Sequence, residues 1–168
     1  LEPASLKIAV GEAKGQIAYN YYAPDLYDPR CGVIQALATS GKNKGKVIST
    51  LVNYAVHPEV IGSDRGILTP DMCGPLYERI ESQGGGIAVF MNGAQGGMVT
   101  ADNRRPEGKE ANDWQECQRI GELLADQALS IINSAEVQKN PELLVVSKTV
   151  EFPVESQLMR MILDNASM

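Results

Sequence analysis

The segment "KVISTLVNYAVHPEVIG" (residues 46–62) decides how this chain is read. Its first eleven residues, 46–56, are rich in β-branched side chains and apolar on both faces in places, as at Leu51 and Val52, which is the pattern of a central strand. His57, the one histidine in 168 residues, stands where that run ends, and Pro58 stiffens the backbone behind it. Upstream, "GVIQALAT" (32–39) is a second β-rich run, joined to the first by "SGKNKG", whose glycines and asparagine suit a hairpin with a longer loop. Further out, "SLKIAVGEAKG" (5–15) alternates imperfectly and reads as a strand. Residues 18–30, with four tyrosines and two prolines, read as a loop packed by its own aromatics.

Downstream of His57 the chain predicts a loop to residue 71 and then a helix beginning between Asp71 and Gly74. Met72, Leu76 and Ile80 recur every fourth residue there, and Pro75 is tolerable only in the first turn. "IAVFMN" (87–92) reads as a short buried strand, and residues 93–108 as a glycine-rich loop. The spacing of Trp114, Cys117, Gly121, Leu124, Ala128 and Ile131 predicts a helix over Asn112 to Asn133. "LLVVSKTVEFPV" (143–154) reads as a last strand. The order β, β-β, α, β, α, β predicts an α/β fold, a mixed β-sheet flanked by helices. The chain opens on Leu1 and closes on the apolar, helix-compatible "SQLMRMILDNASM". We therefore expect residues 1–168 to form a single incomplete domain, an internal piece of a larger one.

Composition removes several classes of function. Hydrophobic residues make up 43% and charged residues 21%, a globular balance rather than a disordered one. Net charge is −6 and no basic run exceeds the pair Arg104-Arg105, so the electrostatic footprint of a nucleic-acid binder is absent. No apolar run is long enough to span a bilayer. Cys31, Cys73 and Cys117 have no C-x-x-C spacing, which excludes a zinc knuckle; three reduced thiols are the expectation, with one disulfide and a free thiol as the alternative. Cys117 falls on the helical stripe, where free cysteine behaves as a small hydrophobe.

Three segments sit at strand ends, where α/β folds place function: "NYAVHPEVIG", "ILTPDMCG" and "FMNGAQGGMVT". His57 can be a metal ligand, a general base or a structural residue. Neither an H-E-x-x-H pattern nor a G-x-S-x-G elbow accompanies it, so this chain alone does not complete a site around it. Asp71 is read as a helix cap, as an acid orienting an imidazole or a substrate donor, or as both. The glycines of residues 92–100 let backbone N–H groups approach a ligand closely, or serve simply as a flexible connection. Thr100 carries that loop's one hydroxyl and would need a base or metal to become a nucleophile.

Taken together, the three segments resemble the catalytic domain of the neutral/alkaline, non-lysosomal ceramidases. The asparagine-aromatic-alanine-x-histidine-proline stretch of that family is matched by Asn53, Tyr54, Ala55, His57 and Pro58. Thr69, Asp71 and Gly74 match its serine-x-aspartate-x-x-glycine segment. Asn92, Gly93, Ala94 and Gly96 match its glutamine-glycine-alanine-x-glycine loop, with order and spacing kept across residues 46–103. The resemblance implies a zinc-dependent amidase (cofactor Zn2+) that cleaves the N-acyl bond of ceramide-like lipids. It gives His57 the role of one metal ligand and lets Asn92, Gly93, Ala94 and Gly96 line the substrate pocket. A second histidine is implied before residue 1, and a glutamate and a tyrosine after residue 168, in the remainder of the parent chain. A secreted or periplasmic setting and peripheral membrane contact are implied as well. One departure stands out: Val99 falls on the family's serine and Gly97 on its aspartate, while a one-residue slip would bring Thr100 to the serine position. The competing expectation is a non-catalytic domain of the same fold that binds a lipid, carbohydrate or protein partner. A purely structural α/β module would explain the fold without the clustering of these segments.

Overall fold

Runs rich in β-branched and apolar residues build the frame, and glycine, proline and asparagine gather in the turns between them. In the computed structural model, which describes residues 3–96, 98–139 and 141–166, six strands and three α-helices form. They are β1 (Ala4–Glu12), β2 (Ala18–Asn20), β3 (Arg30–Ala38), β4 (Val47–Tyr54), α1 (Cys73–Ser82), β5 (Ile87–Asn92), β6 (Val99–Ala101), α2 (Trp114–Asn133) and α3 (Gln157–Ala166). Four strands make a mixed sheet in the order β1-β3-β4-β5. β3 pairs antiparallel with both β1 and β4, the latter through the expected hairpin, which carries a 3-10 turn at Gly41–Asn43. β4 pairs parallel with β5, so α1 is the crossover of a βαβ unit. β4 is therefore internal, as its apolar faces predict.

α1 and α2 cover one face of this sheet. α1 packs on α2, and α2 reaches across β1 and β3. Cys31 and Val33 of β3, Val52 and Tyr54 of β4, and Ala88 of β5 meet Leu76, Ile80, Ile120, Leu124 and Ile132 in one buried cluster. Each such fully buried aliphatic side chain contributes about 1.5–3 kcal/mol. Gly121 is where the helices come closest: a Cβ there would run into the Met72 carbonyl and the Leu76 amide. Asp113 caps α2, its carboxylate accepting the Glu116 N–H at 2.9 Å. All three cysteines are free and buried, and burial pushes the Cys31 and Cys117 thiols up to about 12 and Cys73 to about 11.

The other face of the sheet is open. Register sets Ile8 beside Ile34, Ile34 beside Leu51, and Leu51 beside Val89, an apolar row across all four strands. Ile8, Ile34 and Val89 are exposed, together with Val10, Ile87 and Met91.

Several expectations need correction. Residues 87–92 form a strand, but it is not a buried one. β5 is an outer strand, and within it only Ala88 is buried. Residues 18–30 include a true strand, β2, because β6 pairs with it from within the supposed glycine-rich loop. The helix read from Asn112 starts two residues later, behind its Asp113 cap. Residues 143–154 form no strand. Val137 bridges Lys7 and Gln138 donates to the Leu6 carbonyl, but beyond that point the apolar run finds no neighbouring strand to complete its hydrogen bonds. Leu143, Leu144, Val145, Val146 and Phe152 are exposed, as are the apolar side chains of α3.

The close contact at Gly121 gives a direct test. Gly121→Val should lower stability by about 1–3 kcal/mol through overpacking, read as a shift of the urea midpoint with little change in slope.

Candidate functional site

The segment after β4 lines a cleft of about 840 Å³ with His57, Pro58, Glu59 and Val60, facing Gly96, Met98, Thr100, Ala101 and Asn103. Two pairings build its floor. β2 and β6 run antiparallel with Tyr19 opposite Thr100, and His57 bridges Thr100 from the other side. Tyr19, Thr100 and His57 thus lie side by side in one row and share a face. Val99 and Ala101, the neighbours of Thr100 in the strand, are both buried in the core, and of the two Ala101 also borders the cleft. Alternation along β6 therefore takes the Val99 side chain out of the cleft and leaves Thr100 half-buried in its wall.

Val99 still acts on the site through its backbone. Its carbonyl lies 2.5 Å from Nδ1 of His57. A carbonyl oxygen only accepts, so Nδ1 is the nitrogen that donates here and Nε2 is the one turned to other partners. Imidazoles that bind metals are oriented in this way, with one ring nitrogen held and the other presented.

Asp71 has a different task from helix capping. Met72 occupies the cap position of α1, without a side-chain cap bond. The buried Asp71 carboxylate accepts three backbone N–H groups, from Val60 at 3.0 Å, Ile61 at 2.9 Å and Met72 at 2.7 Å. Its own N–H donates to Thr69 Oγ1 at 3.1 Å. It thereby ties the segment that follows His57 to the start of α1, and it also lines the cleft. Its φ is +51°, and Met98 has a φ of +73°. Among the described residues these are the two non-glycine positions with positive φ, and both border the cleft. Such conformations cost on the order of 1–3 kcal/mol each and gather at functional sites.

The glycine loop divides. Gly96 lines the cleft, whereas Asn92, Gly93 and Ala94 do not. Asn92 donates to the Val56 carbonyl and to Gln95, and Gly93 N–H donates to the Tyr54 carbonyl at 2.9 Å. A Cβ at Gly93 would lie 3.1 Å from the Ala55 nitrogen, so this stretch fastens the end of β5 to the end of β4. Gly97 lies outside the described residues.

Motif reading missed the opposite wall. Asn103, Glu110 and Asn112 line it, and Tyr21, Ile67 and Met98 add apolar surface. A turn places Glu110 beside Arg104 through a backbone bridge, and Glu110 Oε1 accepts the Tyr19 hydroxyl at 2.9 Å. Burial first, and Glu110 second, raise the Tyr19 phenol to about 12, so it remains a donor. Arg104 stacks over the Tyr19 ring at 3.8 Å and grips Asp102 with two bonds of 2.7 and 2.8 Å. Burial pushes the Asp102 carboxyl up, but Arg104 and Gln16 outweigh it and hold the group below the usual carboxylate range. No single one of these residues stands in a sequence motif; pairing across β2 and β6 brings them together.

No family model and no curated protein matches the chain. Solved structures do. The crystal structure of neutral ceramidase from Pseudomonas aeruginosa superposes with a TM-score of 0.64 over 79% of this chain, at 18% identity. A ceramidase complexed with C2 gives 0.63, again over 79% and at 18% identity. The chain spans 23% of the length of each. At this identity the likeness establishes a shared fold.

Two outcomes follow from the geometry. Asp71→Ala leaves three buried N–H donors without their acceptor and should cost about 3 kcal/mol, measured by denaturant unfolding. Asp102 has a folded pKa below its unfolded value of about 3.9, so it contributes stability above that pH, which is lost as pH falls through the folded pKa. Asp102→Asn should therefore be less stable than wild type at neutral pH and show a shallower acid limb in a stability–pH profile.

Proposed function

We propose that this chain contributes one wall of the active site of a zinc-dependent amidohydrolase that cleaves the N-acyl amide bond of ceramide-like lipids. The observation that carries this reading is the pairing of His57 with Thr100 in the cleft, with Nδ1 of His57 held by the Val99 carbonyl and Nε2 left for a ligand. The fold shared with two ceramidase structures supports it.

Among the described residues, no three His, Cys, Asp or Glu side chains gather closely enough to hold a metal ion. The fit to zinc is therefore partial: His57 offers one nitrogen donor of the correct tautomer, and the remaining ligands belong to the rest of a larger catalytic domain. When bound, zinc would supply Lewis-acid polarisation of the amide carbonyl. The chain's own residues would do the following. His57 is oriented by the Val99 carbonyl, and Asp71 fixes the segment behind it. Thr100 presents a hydroxyl beside the imidazole, where it can hydrogen-bond the scissile amide. We read Thr100 rather than Val99 as the counterpart of the family's serine, a reading supported by the strand alternation that turns Val99 inward. The apolar side chains of Tyr21, Ile67 and Met98 offer a path for an acyl chain. The open face of the four-stranded sheet supports a larger domain, since a second layer would bury it.

Zinc content and hydrolysis of an N-acylsphingosine, measured on the parent polypeptide, test the proposal. His57→Ala should remove most of the bound zinc and the activity with it; equal stoichiometric zinc in both proteins would sink the ligand role. Thr100→Ala should keep the zinc and lower kcat by about 10²-fold or more if its hydroxyl contacts the reacting amide. Zinc retained with no hydrolysis of any N-acyl amide would identify a binding domain instead.

A further inference from the structure

We infer that Glu110 makes the cleft selective for a cationic head group, so that amine-bearing N-acyl amides are accepted and phosphate-bearing ones refused. The inference rests on the amidase reading for the word amide, while the charge argument stands on the cleft itself. The lining includes the carboxylates of Glu59, Asp71 and Glu110 and neither lysine nor arginine. Asp71 is occupied, since its oxygens accept three backbone N–H groups. The arginines on flanking segments are engaged as well: Arg104 on Asp102 at 2.7 Å, Arg105 on Asp113 at 2.7 Å, and Arg65 on the Asn112 carbonyl at 2.8 Å.

Glu110 is built differently. Oε1 accepts the Tyr19 hydroxyl, which fixes the direction of the carboxylate; Arg104 lies on the neighbouring bridge, but its guanidinium grips Asp102 and makes no ion pair with Glu110. The second oxygen is free to accept from a ligand. Tyr19 is itself held by the stacked Arg104 and by its pairing with Thr100, so the acceptor is fixed at the Tyr19 end of the row that contains His57. Asn103 and Asn112 flank it with neutral polar groups, and Tyr21, Ile67 and Met98 supply apolar surface. One end of a ligand thus meets carbon and the other meets negative charge. An ammonium donating to Glu110 gains a charge-assisted hydrogen bond, whereas a phosphate brought to the same oxygen meets like charge.

Three matched probes test this on the parent polypeptide: N-lauroyl-ethylenediamine (cationic), N-lauroyl-ethanolamine (neutral) and N-lauroyl-phosphoethanolamine (anionic). Equilibrium binding and hydrolysis are both measured, for wild type, Glu110→Gln and Glu110→Lys. Wild type should bind the cationic probe about fivefold tighter than the neutral one, with the anionic probe weakest. Glu110→Gln keeps an acceptor for Tyr19 and should flatten the order, and Glu110→Lys should reverse it. The same ranking in wild type and Glu110→Gln would overturn the inference, as would failure of all three probes to bind. Binding in the expected order without hydrolysis sustains the selectivity and removes the amidase reading. Hydrolysis with a ranking indifferent to Glu110 does the opposite.

Discussion

A buried carboxylate that accepts three backbone N–H groups is the constraint on which the cleft depends. The segment between β4 and α1 is long, irregular and rich in glycine and proline, and by itself it would sample many conformations. Asp71 closes it. By accepting from Val60, Ile61 and Met72 it joins the first turn after His57 to the start of α1, and it does so from a left-handed backbone conformation. α1 is in turn set by its packing on α2, where Gly121 allows the close approach. The position of the imidazole is thus inherited from the hydrophobic core through one carboxylate.

The floor of the cleft follows a second economy of parts. A three-residue strand, β6, serves the core with Val99 and Ala101 and the cleft with Thr100, while its first carbonyl selects the histidine tautomer. Met98, just before it, carries a positive φ that turns the chain into this strand. The Val99 side chain faces inward and the residue meets the cleft through its carbonyl, while the hydroxyl of this strand lies on the other face, at Thr100.

The frame was legible in the sequence because its signals are periodic. The hairpin around "SGKNKG", the internal strand with Leu51 and Val52, and the stripe from Trp114 to Ile131 each repeat a pattern over two or more turns or pleats. β2 and β6 were illegible because three residues carry no period, and they become strands only by pairing with each other over some eighty positions. The wall formed by Asn103, Glu110 and Asn112 was hidden for the same reason. Asp71 was visible as a significant acid, but its use was not, since an aspartate before a helix looks the same whether it caps that helix or reaches back to another segment. The apolar run 143–154 has strand composition and no strand partner, which shows that composition proposes a strand and hydrogen bonding decides it.

The row Ile8, Ile34, Leu51 and Val89 across the open face has a consequence for the life of this polypeptide. During synthesis these side chains come together as soon as β1, β3, β4 and β5 pair, and they then present to water the kind of surface that holdase chaperones grip and that draws partly built molecules together. β5 adds an unpaired rim to that surface, with Ile87 and Met91 exposed along it. An apolar face with an unpaired rim favours self-association, so the solubility of this polypeptide depends on what covers it.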